Sequence, residues 1–196
     1  MLKGIDISHH NEALILKDPG LLFKQDFVIM KATEGSAYID KYMNVYCGML
    51  GLYYPIGLYH YARPEKGNSP ETEAAHFLCA IAPYIHRAVL ALDVEADALV
   101  YPDIDVWVYR WLEYVHTVTG VRPLVYCSES QCYRFKLAAK NNYGLWVAKW
   151  SDNKPVKTEI KPWKFYAIWQ YAVDGVDRDY FNGTLEAWNA YALGGD

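Results

Sequence analysis

Asp93 and Glu95 stand two positions apart at the close of an apolar run, Ala88-Val89-Leu90-Ala91-Leu92. In an extended strand, residues i and i+2 leave the same face, with Cα atoms about 6.5 Å apart. Two carboxylates so placed repel, and one of them should keep its proton near neutral pH. One ionised acid beside one protonated acid is the pairing that general-acid cleavage of a glycosidic bond requires. For a lone Asp-x-Glu, loop capping or surface pairing with Lys or Arg is the better reading, so only the remainder of the chain can change the balance.

The run before the acids is too continuously apolar for a half-exposed sheet and suits a parallel strand covered on both faces. Comparable runs recur: Leu2 to Ile7, Phe27 to Met30, Pro55 to Tyr61, Pro123 to Cys127, Leu145 to Trp150 and Phe165 to Tyr171. Helical spacing lies between several of them. Asp18-Pro19 offers an N-cap and a first-turn proline, and Asp40 a cap for a helix through about Leu52. Ser69-Pro70-Glu71 heads a helix whose inner residues are Ala74, Phe77, Leu78, Ile81 and Ile85. Asp103 opens another, lined by Ile104, Trp107, Val108, Trp111, Leu112, Val115 and Val118 and closed by Gly120. Ser128-x-x-Gln131 has capping-box spacing ahead of a helix through about Ala139. Asp174, Asp177 and Asp179 read as a loop, followed by a last element near Leu185 to Tyr191.

Strand, loop and helix repeat in that order, which predicts a parallel sheet wrapped by helices. Run after run ends in a residue with functional chemistry: Asp6, Lys31 with Glu34, His60, Asp93 with Glu95, Ser128, Lys149 and Gln170. A closed parallel barrel gathers all such ends on one face. The expected fold is therefore a compact, irregular (β/α) TIM-like barrel with a reduced helix count, because about 250 residues is usual for the full form. An open doubly wound sheet is the alternative, but its usual glycine-rich phosphate loops are missing from the sequence.

At 196 residues the chain fits a single domain, residues 1–196, with ample apolar residues for one core. A net charge of −4, without a basic cluster interleaved with aromatics, argues against nucleic acid as a partner. Eighteen Tyr and seven Trp suit a sugar cleft, where ring faces pack on C–H groups and ring edges hydrogen-bond; Tyr61, Trp150, Trp169 and Tyr171 are the platform candidates, and core or rim packing suits each equally. The four cysteines form no C-x-x-C pair and are too sparse for a disulfide framework, so free thiols are expected. No apolar h-region follows Met1, and no run is long enough to insert in a membrane. A complete chain of this kind would be made in a cytoplasm and reach an external substrate by lysis. Six histidines raise the alternative of a metal-dependent amidase or peptidase, but no H-E-x-x-H is present, and adjacent His9 and His10 would point apart in an extended segment. His60 is expected as a satisfied polar residue at the cleft, with His76, His86 and His116 on helix surfaces.

Six blocks in order resemble glycoside hydrolase family 25, the Chalaropsis-type lysozymes common among phage endolysins. They are Gly4-Ile5-Asp6-Ile7-Ser8, Met30-Lys31-Ala32-Thr33-Glu34-Gly35, Gly57-Leu58-Tyr59-His60-Tyr61-Ala62-Arg63, Leu92-Asp93-Val94-Glu95, Leu145-Trp146-Val147-Ala148-Lys149-Trp150 and Ile168-Trp169-Gln170-Tyr171. The resemblance implies an irregular β/α barrel that cleaves the β-1,4 bond between N-acetylmuramic acid and N-acetylglucosamine of peptidoglycan glycan strands, without metal or cofactor. It implies Glu95 as the catalytic acid, Asp93 as its partner acid, Asp6 as the first-strand aspartate, and Asp177 as the late aspartate. Asp179 stands where the family more usually has Asn, which leaves Asp179 and Asp174 as competitors for the late position. Lys31, Glu34, His60, Tyr61, Arg63, Tyr126, Lys149, Trp150, Trp169 and Gln170 are the expected substrate contacts. The cell-wall-binding repeats that many members carry have no counterpart here. A barrel that binds peptidoglycan without cleaving it remains the rival from another class, and the presence of both acids weighs against it.

Overall fold

The computed structural model describes residues 1–151 and 160–194. Nine strands form one sheet: β1 (Leu2–Ile7), β2 (Phe27–Glu34), β3 (Tyr38–Ile39), β4 (Ile56–Tyr61), β5 (Ala88–Asp93), β6 (Leu124–Ser128), β7 (Leu145–Ala148), β8 (Ile168–Asp174) and β9 (Val176–Phe181). Around it lie α1 (Glu12–Lys17), α2 (Gly20–Phe23), α3 (Met43–Leu50), α4 (Pro70–Ile81), α5 (Ile104–Thr119), α6 (Lys136–Lys140) and α7 (Leu185–Leu193). The strand order is β1-β9-β8-β7-β6-β5-β4-β2-β3, and an additional β1–β2 pairing closes eight of the strands into a barrel. β3 is a two-residue hairpin extension of β2. The pairs from β1 through β2 and β4 to β8 are parallel, whereas β9 is antiparallel to both β8 and β1. Closure by a hairpin is what lets the barrel form without its last crossover helix.

Alternation along the strands divides the apolar residues into two cores. Leu58, Leu90, Leu92, Val125 and Val147 face outward and pack with Phe77 of α4 and Trp111 of α5. Phe27, Ile29, Tyr59, Val89, Ala91, Leu124, Trp146, Ile168 and Phe181 fill the barrel interior, and Trp188 and Ala192 of α7 join them. The interior is tight. A Cβ on Gly4 would meet the Phe27 ring at 2.4 Å. Gly4→Ala is therefore expected to cost about 1–3 kcal/mol through overpacking, seen as a lowered denaturation midpoint with an unchanged urea m-value.

The helix starts show how far local signals reach. Ser69 Oγ accepts from the Thr72 amide at 3.1 Å, and Pro70 begins α4, as its sequence predicts. α5 begins after Asp103 and ends at Gly120, whose φ of +74° is the left-handed geometry that favours glycine. Val118 leaves the inner stripe and is exposed, and Ile85 lies beyond α4.

Five expectations need correction. The Asp18-Pro19 start yields only the single turn α2, with Pro19 rather than Asp18 at its cap, and a separate α1 precedes it. Asp40 does not itself cap α3, which starts after Tyr42; its carboxylate instead accepts from the Tyr42 and His9 amides. The helix expected from Ser128 to Ala139 breaks at Phe135 into a 3-10 segment and α6, and Ser128 makes no capping bond. β2 does not stop at Met30 but runs to Glu34. Asp174, Asp177 and Asp179 lie on the β8–β9 hairpin rather than in a loop.

Candidate active site

The inward-facing ends of the strands carry the acids. Asp6 pairs in register with Ile29 of β2 and Asp177 of β9, and Asp93 with Tyr61 of β4 and Tyr126 of β6. Glu95 follows Asp93 by two residues at the start of a 3-10 turn over Ala96–Val100. A cavity of about 240 Å³ opens here, lined by Asp6, Tyr59, Asp93, Glu95, Tyr126, Trp146, Trp150, Gln170 and Asp177. A larger space of about 500 Å³, lined by residues such as Arg122, Gly144 and Tyr191, lies by the opposite strand ends and contains none of these acids.

A bulge gives β2 its second inward polar residue. Lys31 pairs with Tyr59 and Thr33 with His60, so the register slips at Ala32. The slip turns Thr33 outward and brings Glu34, opposite Tyr61, to the face that Lys31 occupies. Lys31 Nζ bonds Glu34 Oε2 at 2.6 Å and lies 4.6 Å from the centre of the Tyr61 ring. Arg63 Nε sits 2.9 Å from Glu65 and 3.6 Å from Glu34. Lys31, Glu34, Tyr61 and Arg63 thus form a charged and aromatic rim beside the cavity.

Polar side chains link across the interior. Tyr126 OH donates to Gln170 Oε1 at 2.9 Å, Gln170 Nε2 to Asp6 Oδ2 at 2.8 Å, and Trp146 Nε1 to Asp179 Oδ1 at 2.8 Å. Asp93 is only 6 % exposed, and its Oδ1 has no hydrogen-bond partner among the described residues. Burial, and then the charge of Glu95, push the Asp93 carboxyl well above the usual carboxylate range, with Lys31 pulling the other way. Burial and Asp177 raise Glu95, which Lys31 also opposes. Burial and Asp177 take Asp6 from 3.8 to about 7. Asp177 is raised by burial as well. Acids kept from water and crowded by like charge hold their protons to higher pH than free carboxyl groups do, the direction that general-acid chemistry needs.

Seven expected site residues line the cavity: Asp6, Asp93, Glu95, Asp177, Tyr126, Gln170 and Trp150, the last 69 % exposed. Four others stand elsewhere. His60 faces outward and is fully buried between β4 and α4, with Nδ1 2.7 Å from Thr33 Oγ1 and Nε2 2.8 Å from Glu73 Oε2. It is satisfied, as its sequence context suggested, but it is not at the cleft. Trp169 is buried on the outer face, donating to the Lys149 carbonyl at 2.8 Å and stacking on Tyr180. Tyr171 stacks on the same Tyr180 at 4.4 Å, and Lys149 Nζ pairs with Glu129 at 2.7 Å. His9 and His10 do not diverge: a 3-10 turn brings their ring centroids to 3.9 Å. His86 lies in the turn before β5 rather than on a helix. Among the described residues no group of three His, Cys, Asp or Glu is placed to hold a metal ion. All four cysteines are free.

Tyr59 and Trp146 are interior residues that sequence reasoning passed over as site components, and Asp179, weighed there only as a competitor for the late acid, is a third. The signal was available for the first two, since Tyr59 precedes Tyr61 by two and Trp146 precedes Ala148 by two on inward-alternating strands.

Residues 5–180 match the family model described as glycosyl hydrolases family 25. The chain is 31% identical to the "Uncharacterized protein YegX" of Escherichia coli K12 over 98% of its own length and 74% of that protein's. It is 26% identical to the N,O-diacetylmuramidase of Chalaropsis sp, with 86% and 88% covered. Its fold superimposes on a family GH25 lysozyme from Aspergillus fumigatus with a TM-score of 0.79 and 28% identity, covering 97% of this chain and 98% of that one.

Proposed function

The chain belongs to glycosyl hydrolases family 25, and on that premise we propose that it is an N-acetylmuramidase, cleaving the β-1,4 bond between N-acetylmuramic acid and N-acetylglucosamine in peptidoglycan. The observation that carries this reading is the cavity in which Asp93, Glu95, Asp6 and Asp177 converge beside Trp150.

Glu95 is the proton donor. It is half-open to the cavity and raised by burial and by Asp177, so it arrives at the glycosidic oxygen carrying a proton. Asp93 is deeper, and its unpartnered Oδ1 is an acceptor waiting for a donor. The N–H of the substrate's 2-acetamido group supplies one. That bond favours the ionised form of Asp93 and leaves the shared proton on Glu95. The acetamido carbonyl oxygen then attacks the anomeric carbon as the C–O bond to the leaving sugar breaks and Glu95 gives up its proton. In the second step Glu95 takes a proton from water as that water attacks the same carbon, and the acetamido group is regenerated. Two inversions give net retention. Asp6 and Asp177 tune Glu95 and hold sugar hydroxyls.

Proton NMR of the first-formed product should show the β anomer at the new reducing end; an initial α anomer would rule out this two-step route. The place of action under this reading is the bacterial cell wall, reached as a phage-type endolysin is, by release at lysis.

A further inference from the structure

Asp179 is the least exposed acid of the barrel mouth, with no measurable accessible surface. Its Oδ1 accepts from Trp146 Nε1 at 2.8 Å, while its Oδ2 has no donor among the described residues. It projects inward from β9, two residues from Asp177, opposite Gly4 of β1, and Asp6 lies within hydrogen-bonding reach. Asp6 in turn accepts from Gln170 Nε2 at 2.8 Å and borders the cavity. Two carboxyl groups thus lie within reach of each other, and among the described residues each accepts one side-chain hydrogen bond, from Trp146 and from Gln170. If both were ionised, an unpaired buried charge would stand against a like charge, which burial makes costly. A single proton removes both penalties.

The geometry points to Asp179 as the holder of that proton: it acts as a neutral carboxylic acid donating a hydrogen bond to Asp6, and so as a positioning residue that eases the ionisation of Asp6 in the cavity. The proton belongs on Asp179 because the Gln170 amide and the open cavity favour charge on Asp6, whereas Asp179 is sealed. The surrounding groups agree. Burial first, then Asp6 on β1, raises Asp179; the Trp146 indole on β7 opposes them, and Asp177 on β9 adds a smaller push upward. Tyr126 on β6 is raised by burial and then by its acidic neighbours, and brings no positive charge. Asp93 at the end of β5 and Glu95 just beyond it add negative charge to the same mouth, Tyr59 on β4 is a neutral phenol, and β8 offers the Gln170 amide. Lys31 on β2 acts on Asp93 and Glu95.

Only the catalytic consequence rests on the muramidase reading; the protonation itself can be followed without substrate. Carbon-13 NMR of Asp-labelled protein, assigned with Asp179→Asn and Asp6→Asn, should show the Asp179 carboxyl at its protonated position from pH 5 to 8 while Asp6 titrates near its raised value of about 7. Asp179→Asn keeps a donor toward Asp6 and an acceptor for Trp146, so the Asp6 midpoint should stay within about half a unit; Asp179→Ala removes the donor and should raise it by about one unit. Asp179 ionising below pH 5 would overturn the inference, as would an Asp6 midpoint that falls by a unit or more in Asp179→Asn, the mark of a lost negative neighbour. Should the alanine variant fail to fold, the wild-type and asparagine titrations decide. On cell walls, Asp179→Asn should keep the acid limb of the pH profile and Asp179→Ala should move it upward. An inert wild type would refute the muramidase reading and leave the titrations standing.

Discussion

Glu95→Gln should lower the rate of turbidity loss of purified cell walls by about 10²–10⁴-fold, the usual contribution of a positioned general acid. The amide keeps the shape and hydrogen-bonding reach of the acid but has no proton to give. Stability separates this effect from damage to the fold. Glu95 has its pKa raised in the folded protein, so its ionisation near neutral pH works against folding, and an uncharged amide relieves that cost. The variant should therefore melt at or above the wild-type temperature at pH 7 while being nearly inactive. Full activity would remove Glu95 from the acid's role; an inactive variant that melts much lower would point to lost structure instead.

Asp6→Asn should stabilise the protein in a pH-dependent way. A carboxyl raised from 3.8 to about 7 on folding costs nothing below pH 3.8, where both states are protonated. Between 3.8 and about 7 the unfolded chain releases its proton while the folded chain keeps it, so stability falls with rising pH; above that window the loss is constant. Three pH units correspond to a ceiling of about 4 kcal/mol, reduced because protons redistribute among neighbouring acids. Asparagine removes this dependence. It also accepts fewer hydrogen bonds than a carboxylate, a loss of about 1 kcal/mol at every pH. Urea denaturation at pH 4 and pH 8 should thus show Asp6→Asn slightly less stable at the lower pH and more stable at the higher. A difference from wild type that does not change with pH would show that Asp6 titrates alike in both states.

Both predictions concern acids that stood out in the sequence, and the reason is physical. An acid ending a buried apolar strand has few places to go except the mouth of a closed sheet, so Asp6 and Asp93 were placed by the pattern alone, with Glu95 following by alternation. Continuous apolar runs identified β1, β4 and β5 nearly to the residue. What stayed hidden depends on pairing rather than on local pattern. The slip at Ala32, which turns Glu34 inward and Thr33 outward, exists only because β2 is aligned against β4. The β8–β9 hairpin carries acids at alternate positions and little apolar signal, so Asp177 and Asp179 looked like loop residues. His60 and Trp169 follow the same rule of alternation as the acids, but on the outer face. There Glu73 and the Lys149 carbonyl, distant in sequence, satisfy their polar atoms. The Ser128 capping signal was overridden in the 3-10 segment, where Cys132 packs against Cys127 with the sulfurs 3.7 Å apart.

The acid pair in the barrel mouth should break one particular glycosidic bond. Mass spectrometry of the muropeptides released by wild-type protein, reduced with borohydride to mark the new ends, tests it most directly. Muramic acid should stand at every new reducing end, with no such product from Glu95→Gln in the same time; reducing-end N-acetylglucosamine, or glycan strands left whole with cut peptide stems, would overturn the muramidase reading.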